Sequence, residues 1–526
     1  MKINVNNIII PVNKEQNSHI YMELDRLGIK KENIENIIWN KRSIDSRQKR
    51  EIKFIYNLQI TLKTSIDLDK YENISLARDE ILPNRIPKNK GEEIVIIGCG
   101  PAGLFAALRL AEYGYIPIIY EMGEEVDQRD KSTENFVQTS TLNTFSNIQF
   151  GEGGAGTYSD GKLNTRIRSE YIDKVFNEFT KCGANKDILW DYRPHIGTDI
   201  LKIVVKNLRE KIKSLGGIFN FNSKVENIII KNDEINGIEV LSKNKAIEKI
   251  YCKNIILAIG HSARDTYKML YRNKIKMESK PFAIGMRIEH LQSDINKMQY
   301  GKFANYELLP PATYAFTYND KIEKRGTFTF CMCPGGEIIN ATSEYNKNLV
   351  NGMSNSDRAG KFANSALVVG IKEKDFGNDI FSLLKFQEDL EAKTFDIVSE
   401  YGAIYQNTID FMKNTKTKSS IDTSYKMKLT SFRTDELFPE YIVENMKKAL
   451  LYWNKNDCFI GKNINLIGPE TRTSAPVRIL RNKTGESLNI KGLYPVGEGA
   501  GYAGGITSSA VDGIKIVDLN FTEIKE

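Results

Sequence analysis

Six residues from Gly98 to Gly103, with the sequence GCGPAG, have the types and spacing that bind a phosphate through the main chain. Gly98 permits a sharp exit from the apolar run at 94–97, and Gly100 leaves room for a pyrophosphate. Gly103 lets the next helix pack close to the sheet, and the N-terminus of that helix offers free N–H groups and partial positive charge. An apolar strand before the turn and a helical pattern after it predict a dinucleotide-binding βαβ unit.

Glu121 narrows the choice of nucleotide. It follows the predicted strand 116–120 and lies 18 residues after Gly103, where a carboxylate can accept hydrogen bonds from ribose hydroxyls. The same carboxylate repels a 2′-phosphate, which disfavours NADP. The turn and the acid together leave NAD and the AMP half of FAD open.

A second glycine-rich segment, YPVGEGAGYAGGITSSAVDG, decides between these two ligands. Gly497 and Glu498 follow an apolar strand end, and Gly505 and Ile506 open a helix. FAD is long enough to need both segments, because its adenosine end lies on the first turn and its ribitol and flavin ring reach the second segment. There Glu498 can accept hydrogen bonds from ribitol hydroxyls. The helix at Gly505 can stabilise negative charge on a reduced flavin by about 1 kcal/mol. We therefore expect FAD, bound between two segments that are distant in sequence.

A flavin carries the hydride chemistry itself, so the chain must orient a substrate and move at most one proton. The loop GEGGAGTYSDGKL at 151–163 holds five glycines within eleven residues, which allows close backbone approach to the ring. The residues expected to contact the cofactor are Gly153, Gly154, Ala155 and Gly156. Lys162 and Asp160 are candidate catalytic residues, with an ordinary surface pair as the alternative.

Two further candidates for catalysis lie on other segments. Arg472, beside Thr471, Thr473 and Ser474, could bind an anion or carboxylate, or could bond to loop carbonyls in a structural role. His261 follows a predicted strand end, where it could serve as acid or base near neutral pH or could cap the strand. The six cysteines include no CxxC and the four histidines no HxxxH, so no metal site is predicted.

The motifs identified so far resemble those of a known superfamily. Three segments are similar to motifs of FAD-dependent oxidoreductases of the glutathione-reductase-like (Rossmann) superfamily. They are the turn at Gly98–Gly103, IILAIGHSAR, and the second glycine-rich segment, called the closing segment below. QFGEGGAGTYSDGKLNTR, PFAIGMRIEH, FCMCPGGEIINATSE and GPETRTSAPVRILR resemble, more narrowly, a bacterial group of uncharacterised NAD(FAD)-utilising dehydrogenases. The resemblance spans nearly the whole chain and implies hydride transfer between FAD and an unidentified small organic substrate.

The resemblance also implies roles for particular positions. The pyrophosphate would be held by Gly98, Gly100, Pro101, Ala102 and Gly103, and the adenosine ribose by Glu121. Arg129 would lie near the phosphates, Val225 would contact the adenine through its backbone, and Gly260 would close under the nucleotide. Gly497 and Glu498 would hold the ribitol, and Gly505 and Ile506 would hold the flavin ring.

These residues need a set of elements to position them. The patterns predict an α/β fold: a Rossmann-type FAD-binding domain with a parallel sheet and an antiparallel meander, interrupted by a mixed-sheet substrate domain and preceded by a small α+β domain. The predicted meander strands are 224–230, 235–241 and 250–258, and 378–453 reads as helical. The predicted ranges are 1–85 for the small domain, 91–265 and 461–526 for the FAD-binding domain, and 266–460 for the insert.

Composition sets limits on partners. Hydrophobic residues make up 41% of 526, no apolar run reaches membrane-spanning length, and no signal-peptide core opens the chain, so we expect a cytoplasmic protein. The net charge of +7 comes mostly from the first 90 residues, with 17 basic and 12 acidic side chains. Its densest stretch, 41–53, could bind nucleic acid, but a solvated loop or pairing with acidic groups of the next domain is favoured.

Two other functions remain open at this point. A flavin-dependent tRNA-modifying enzyme would use the basic N-terminal domain, whereas a redox sensor would bind flavin without catalysis. No second strand–GxGxxG–helix unit occurs at 260–470. NAD(P)H, if it is the electron donor, must therefore bind without a separate domain of its own.

Overall fold

The computed structural model describes residues 1–77, 83–242, 246–377, 379–455 and 458–525. The strands are β1 Lys2–Pro11, β2 Ile34–Asp45, β3 Lys53–Leu62, β4 Ile74–Leu76, β5 Arg85–Pro87, β6 Glu93–Ile97, β7 Ile116–Tyr120, β8 Ile218–Asn220, β9 Lys224–Lys231, β10 Glu234–Leu241, β11 Ile247–Tyr251, β12 Ile255–Leu257, β13 Met277–Ser279, β14 Ala283–Leu291, β15 Thr317–Asp320, β16 Arg325–Cys333, β17 Glu337–Asn340, β18 Val350–Met353, β19 Phe362–Gly370, β20 Gly402–Asn407, β21 Lys428–Ser431, β22 Asn465–Glu470, β23 Val477–Ile479, β24 Leu493–Pro495 and β25 Thr522–Ile524. The α-helices are α1 Gln16–Arg26, α2 Pro101–Glu112, α3 Val126–Thr139, α4 Tyr171–Lys181, α5 Thr198–Ser214, α6 Arg264–Arg272, α7 Gln292–Tyr300, α8 Ser382–Val398, α9 Thr408–Met412, α10 Thr434–Leu437, α11 Glu440–Trp453 and α12 Ile506–Asn520.

A five-stranded parallel sheet of order β24-β12-β6-β7-β8 forms the centre of the nucleotide-binding part. Its central strand β6 is apolar on both faces because both faces are covered. Ile94 and Ile96 pack among residues of α2, α5 and α12, whereas Val95 and Ile97 pack among residues of the meander. The predicted fold class, a parallel sheet with a meander and a mixed-sheet insert, is confirmed.

The meander β11-β10-β9 differs from the sequence prediction at its last strand. The single strand predicted at 250–258 is two strands that belong to different sheets: β11 completes the meander, and β12 lies between β24 and β6. The break falls at the polar residues 252–254, where Asn254 donates a hydrogen bond of 3.0 Å to Glu92. β12 thereby delivers Gly260 to the carboxyl edge of the parallel sheet.

The insert is built on a seven-stranded mixed sheet of order β15-β16-β19-β14-β22-β20-β21. The region 378–453, expected to be helical, holds α8 and α11 but also the strands β20 and β21, which pair in parallel. β22, assigned from sequence to the closing part of the FAD-binding domain, pairs with β14 and β20. The insert therefore extends beyond 461, and the paired strands β13 and β23 join it to the nucleotide-binding part.

The N-terminal part is an antiparallel sheet of order β2-β3-β1-β4 that packs against α1. Arg42, in the basic stretch 41–53, donates a hydrogen bond of 3.1 Å to Asp191 and lies over the ring of Trp190. This contact matches the expected pairing with an acidic group of the next domain. β5, which lies at the junction of the predicted ranges 1–85 and 91–265, pairs with β25, so this connection is held by the segment after α12.

Candidate active site

The helices α2 and α12 cross so closely that their N-termini open into one cavity. A Cβ added at Gly513 of α12 would lie 2.2 Å from the carbonyl oxygen of Ala102 in α2. Neither helix has a side chain that caps its N-terminus, at Gly100 and at Gly505. The first N–H groups and the positive dipole end of both helices are therefore available to a ligand.

The cavity has a volume of about 360 Å³, within the range of cofactor and substrate pockets. It brings together most of the residues that the sequence singled out. Those that line it are Gly98, Gly100, Pro101, Ala102, Glu121, Gly154, Ala155, Gly156, Lys162, Val225, Gly260, His261, Arg472, Glu498, Gly505 and Ile506. Those that do not line it are Gly103, Arg129, Gly153, Asp160 and Gly497.

The three glycines of the first turn have distinct environments. Gly98 has φ +102°, and a Cβ there would lie 2.3 Å from the carbonyl oxygen of Ala258. A Cβ at Gly103 would lie 2.1 Å from the oxygen of Gly98. At Gly100, by contrast, the nearest atom to an added Cβ is the Cα of Gly154 at 3.9 Å. Gly98 and Gly103 are thus required by packing, whereas Gly100 keeps the cavity wall open.

Glu121 organises the turn through its carboxylate. Oε2 accepts a hydrogen bond of 2.8 Å from the N–H of Cys99, and Oε1 accepts from the N–H groups of Gly123 and Gly151 at 2.9 and 3.0 Å. Glu121 therefore fixes the turn and the loop at 151 to the end of β7. One acceptor position on Oε2 stays free for a ribose hydroxyl.

Arg129, expected near the phosphates, is fully buried behind the loop instead. Its guanidinium donates to four backbone carbonyl groups at 2.6–3.0 Å: those of Asn147, Ile148, Glu152 and Gly154. Burial lowers its pKa. Gly153 supports the same loop, because its N–H donates a hydrogen bond of 2.8 Å to the carbonyl oxygen of Cys99. Both residues shape the backbone that faces the cavity.

The closing segment supplies the opposite wall. The N–H of Gly497 donates to Asp512 at 2.8 Å, and a Cβ at Gly497 would lie 2.8 Å from that of Ala102. Glu498 lines the cavity with its side chain 23% exposed, and burial raises its pKa to about 7. Near Gly504 and Gly505 an added Cβ would meet no atom within 4 Å. This end of the cavity therefore has room for a flat group against the α12 N-terminus.

His261 is the imidazole of the cavity wall. Its Nδ1 lies 3.8 Å from a carboxylate oxygen of Glu498, and its buried Nε2 has no hydrogen-bond partner among the described residues. Burial, together with Arg472 and Arg264, lowers its pKa to about 3. His261 is consequently neutral at pH 7 and acts there as a hydrogen-bonding group rather than as a cationic acid.

Lys162 and Asp160 form an ion pair rather than two independent catalytic groups. Asp160 is fully buried and accepts from Lys162 Nζ at 2.6 Å and from Arg358 Nε and Nη2 at 2.9 and 2.6 Å. Burial opposes the charge of Lys162, but Asp160 outweighs it and raises the pKa of the lysine. Lys162 therefore presents a fixed positive charge to the cavity, and Asp160 positions it.

Arg472 is committed to carboxylates. Its guanidinium donates to Glu391 at 2.8 and 3.1 Å and to Glu344 at 2.9 Å, and Arg264 donates to the same two acids. The two arginines hold the pKa of Glu391 well below its usual range although burial opposes this. The structural alternative for Arg472 thus has a physical basis, with carboxylates as partners in place of loop carbonyls.

The insert contributes residues that sequence reasoning did not select. Glu470, at the end of β22, lines the cavity and accepts a hydrogen bond of 2.7 Å from Arg287 Nη1. Burial raises the pKa of Glu470 to about 7 although Arg287 opposes the shift. Asn351 and Cys331 also line the cavity. The sequence signal for Glu470 was its place two residues before Arg472 in GPETRTSAPVR.

Two other kinds of feature are absent from the described residues. They contain no cluster of three or more His, Cys, Asp and Glu side chains suited to a metal ion. None of their helices is long and apolar enough to cross a membrane.

The fold is a mixed α/β fold in which a parallel sheet and a mixed sheet border one cavity, and comparison with known proteins identifies the relatives of the chain. The family described as "FAD-dependent protein, C-terminal domain-like" matches residues 281–473, and a domain of unknown function, DUF8436, matches residues 2–61. An uncharacterised protein of Clostridium beijerinckii (strain ATCC 51743 / NCIMB 8052) is 44% identical over 528 residues, covering 98% of each chain. The chain belongs to the same family as this clostridial protein. Its narrower placement in the glutathione-reductase-like superfamily stays a prediction.

More distant similarities were also found. An NADH:fumarate oxidoreductase of Klebsiella pneumoniae (strain 342) is 20% identical over 205 residues, which is 35% of this chain and 22% of that protein. Among solved structures, a geranylgeranyl bacteriochlorophyll reductase-like protein from Thermoplasma acidophilum is 12% identical with a TM-score of 0.35, covering 82% of this chain and 78% of its own. Glycine oxidase from Geobacillus kaustophilus is 10% identical with a TM-score of 0.35, covering 82% and 95%.

Proposed function

We propose that the protein is an FAD-dependent oxidoreductase that transfers a hydride between the flavin and a small organic substrate. The observation that carries the proposal is the pair of uncapped helix N-termini, of α2 and α12, at one shared cavity. A mononucleotide would need only the first. A dinucleotide with a second, redox-active end has a use for both.

The residues present fit this cofactor. Gly100 and Gly505 leave free the space that a Cβ would fill, and Glu121 keeps one acceptor position for a ribose hydroxyl. Glu498 offers a carboxylate for ribitol hydroxyls, and His261 Nε2 is a buried polar atom with no partner in the described part of the chain. FAD, when bound, would supply the hydride acceptor or donor.

The chain's own residues supply charge and a proton. Lys162, held by Asp160, keeps a positive charge on the cavity wall, where it stabilises an anionic substrate or negative charge on the cofactor. Glu470 holds a proton near neutral pH because its pKa is raised to about 7. A carboxyl group poised at that pKa can donate or accept one proton at the substrate.

The test is an anaerobic titration of the purified protein. We expect a bound flavin, visible in the absorbance spectrum, that is bleached by NADH, NADPH or a member of a metabolite panel faster than free FAD is. A Gly100→Ala variant should fold normally, because the nearest atom to its Cβ is the Cα of Gly154 at 3.9 Å, yet should bind the flavin more weakly. Wild-type protein without flavin, even after incubation with FAD, would contradict the proposal.

Two outcomes would redirect it. Bound flavin that no donor reduces faster than free flavin would favour a redox sensor. Salt-dependent tRNA binding that disappears on neutralising Lys49 and Arg50, exposed in the basic stretch 41–53, would favour a tRNA-modifying enzyme. Arg42 is unsuitable for this test because it is bound to Asp191.

A further inference from the structure

The CxC sequence at Cys331 and Cys333 lies on the cavity wall in an unusual backbone geometry. β16 pairs regularly with β19 up to Phe330, and the register then shifts before Cys333. Cys331 has φ +45°, a left-handed conformation that is rare for residues other than glycine, asparagine and aspartate. Such strained positions concentrate at functional sites.

The bulge separates the two cysteines in exposure but leaves Cys333 in contact with Cys331. Cys331 is partly exposed and lines the cavity, whereas Cys333 is fully buried beneath it. The thiol of Cys333 donates a hydrogen bond of 3.3 Å to the carbonyl oxygen of Cys331. A regular strand would place both side chains on one face with equal access, so the bulge makes an outer and an inner thiol.

Two cations lie on either side of this pair. Lys162 Nζ donates to the carbonyl oxygen of Met332, and Arg287 Nη2 donates to the carbonyl oxygen of Cys331 at 2.7 Å and to Cys333 Sγ at 3.3 Å. The neighbouring Cys333 thiol, with Lys162 and Arg287, lowers the pKa of Cys331 although burial opposes this. Five charged groups face the pair. Two are cations, Lys162 and Arg287, and three are acids, Asp160, Glu470 and Glu498.

We propose that Cys331 and Cys333 form a thiol–disulfide exchange site that takes a small organic disulfide from the cavity. The Cys331 thiolate attacks one sulfur of the disulfide, the S–S bond of the ligand breaks, and one thiolate leaves. Cys333 then attacks Cys331 Sγ, the bond between Cys331 and the ligand breaks, and the proton of Cys333 passes to the departing sulfur, which leaves as the second thiol. The two cysteines are oxidised by two electrons to one disulfide, and the ligand is reduced by two electrons to two thiols.

The roles of the two residues differ and can be separated. Cys331 is the attacking thiol because it is the one that the cavity reaches. Cys333 is the resolving thiol because it is buried and adjoins only Cys331 and Arg287 among the polar groups described for it. Lys162 is a positioning residue that keeps Cys331 ionised, with no contact to the ligand required.

The experiment uses the full chain, with its flavin content recorded, and dipyridyl disulfide as the probe. At about pH 5.5, where an ordinary thiol is protonated, the wild type should release two pyridinethiones per chain in a burst. Its mass should fall by about 2 Da with no adduct. Cys333→Ser should release one and retain a pyridyl adduct at Cys331. Cys331→Ser should lose the burst.

Matched controls complete the test. Cys252→Ser should keep the burst, because Cys252 is partly exposed but burial raises its pKa to about 12. Lys162→Met should slow the burst at least about tenfold at about pH 5.5 and much less at about pH 8.5. A burst that survives Cys331→Ser, or a wild-type product that keeps the adduct, would overturn the proposal. Pyridinethione release is read without flavin reduction, so its failure is distinguishable from failure of the proposed oxidoreductase.

Discussion

The close crossing of α2 and α12 predicts that an alanine at position 513 destabilises the protein, whereas helix propensity alone predicts that it stabilises it. Gly513 lies in the interior of α12, where alanine is ordinarily more favourable than glycine by about 1 kcal/mol. In this structure an alanine Cβ would lie 2.2 Å from the oxygen of Ala102, against a practical minimum of 3.0 Å. The helices would have to separate by about 0.8 Å, the shortfall between these two distances.

We expect Gly513→Ala to destabilise the crossing. Overpacking of this kind costs about 1–3 kcal/mol, which offsets the gain of about 1 kcal/mol in helix propensity and leaves a net loss of up to about 2 kcal/mol. The separated N-termini should also bind FAD more weakly, and a loss of about 1.4 kcal/mol in binding free energy would appear as a tenfold higher Kd. The α2 amides should exchange with solvent faster because the helix opens locally more often.

Hydrogen exchange of the apoprotein and a fluorescence titration with FAD measure these two effects. Gly504→Ala is the matched control: its Cβ meets no atom within 4 Å, so its stability should change by less than about 0.5 kcal/mol. If Gly513→Ala were about 1 kcal/mol more stable than wild type, as helix propensity alone requires, the close crossing and the shared cavity would both be refuted.

Three further predictions concern single side chains. Glu121→Gln replaces a charged acceptor of three backbone N–H groups, so the apoprotein should lose about 1.5–3 kcal/mol in urea unfolding; an unchanged midpoint would contradict its organising role. The pKa of Glu498 is raised from 4.5 to about 7 in the folded protein. Between these two pH values the folded chain binds more protons than the unfolded chain, so the stability of the apoprotein falls as the pH rises. Glu498→Gln should therefore raise the thermal midpoint at about pH 8 but not at about pH 4, and equal shifts at both would exclude this cause. Arg129→Lys leaves one ammonium group for four carbonyl groups, so it should lower the free energy of unfolding by about 2–3 kcal/mol and weaken FAD binding. If Arg129 were a simple surface group, neither effect would be seen.

The nucleotide-binding elements could be predicted from sequence because their signals are local. The apolar strand, the turn at Gly98–Gly103 and the helix after it lie within twenty residues, and each glycine has a separate geometric reason. Glu121 and Gly505 could be added because strand and helix ends have fixed positions relative to such a turn. These residues all line or border the cavity.

The wall supplied by the insert could not be predicted, because it depends on sheet register between distant segments. Cys331 and Glu470 reach the cavity through the bulge in β16 and the pairing of β22 with β14. Arginines posed a different difficulty. Arg129 and Arg472 resemble phosphate- or anion-binding residues in sequence, and only the structure reveals that carbonyl and carboxylate groups already occupy their donors.

The order of the two helices along the chain has a consequence for biosynthesis. Gly505 is translated 405 residues after Gly100, which at about 5–20 residues per second takes on the order of 20–80 s. During that interval the nascent polypeptide holds half a cofactor site, and the apolar face of α2 that α12 will cover stays exposed to water. A ligand that needs both helix N-termini can therefore bind fully only after α12 has been synthesised, and the α2 face is open to other contacts until then.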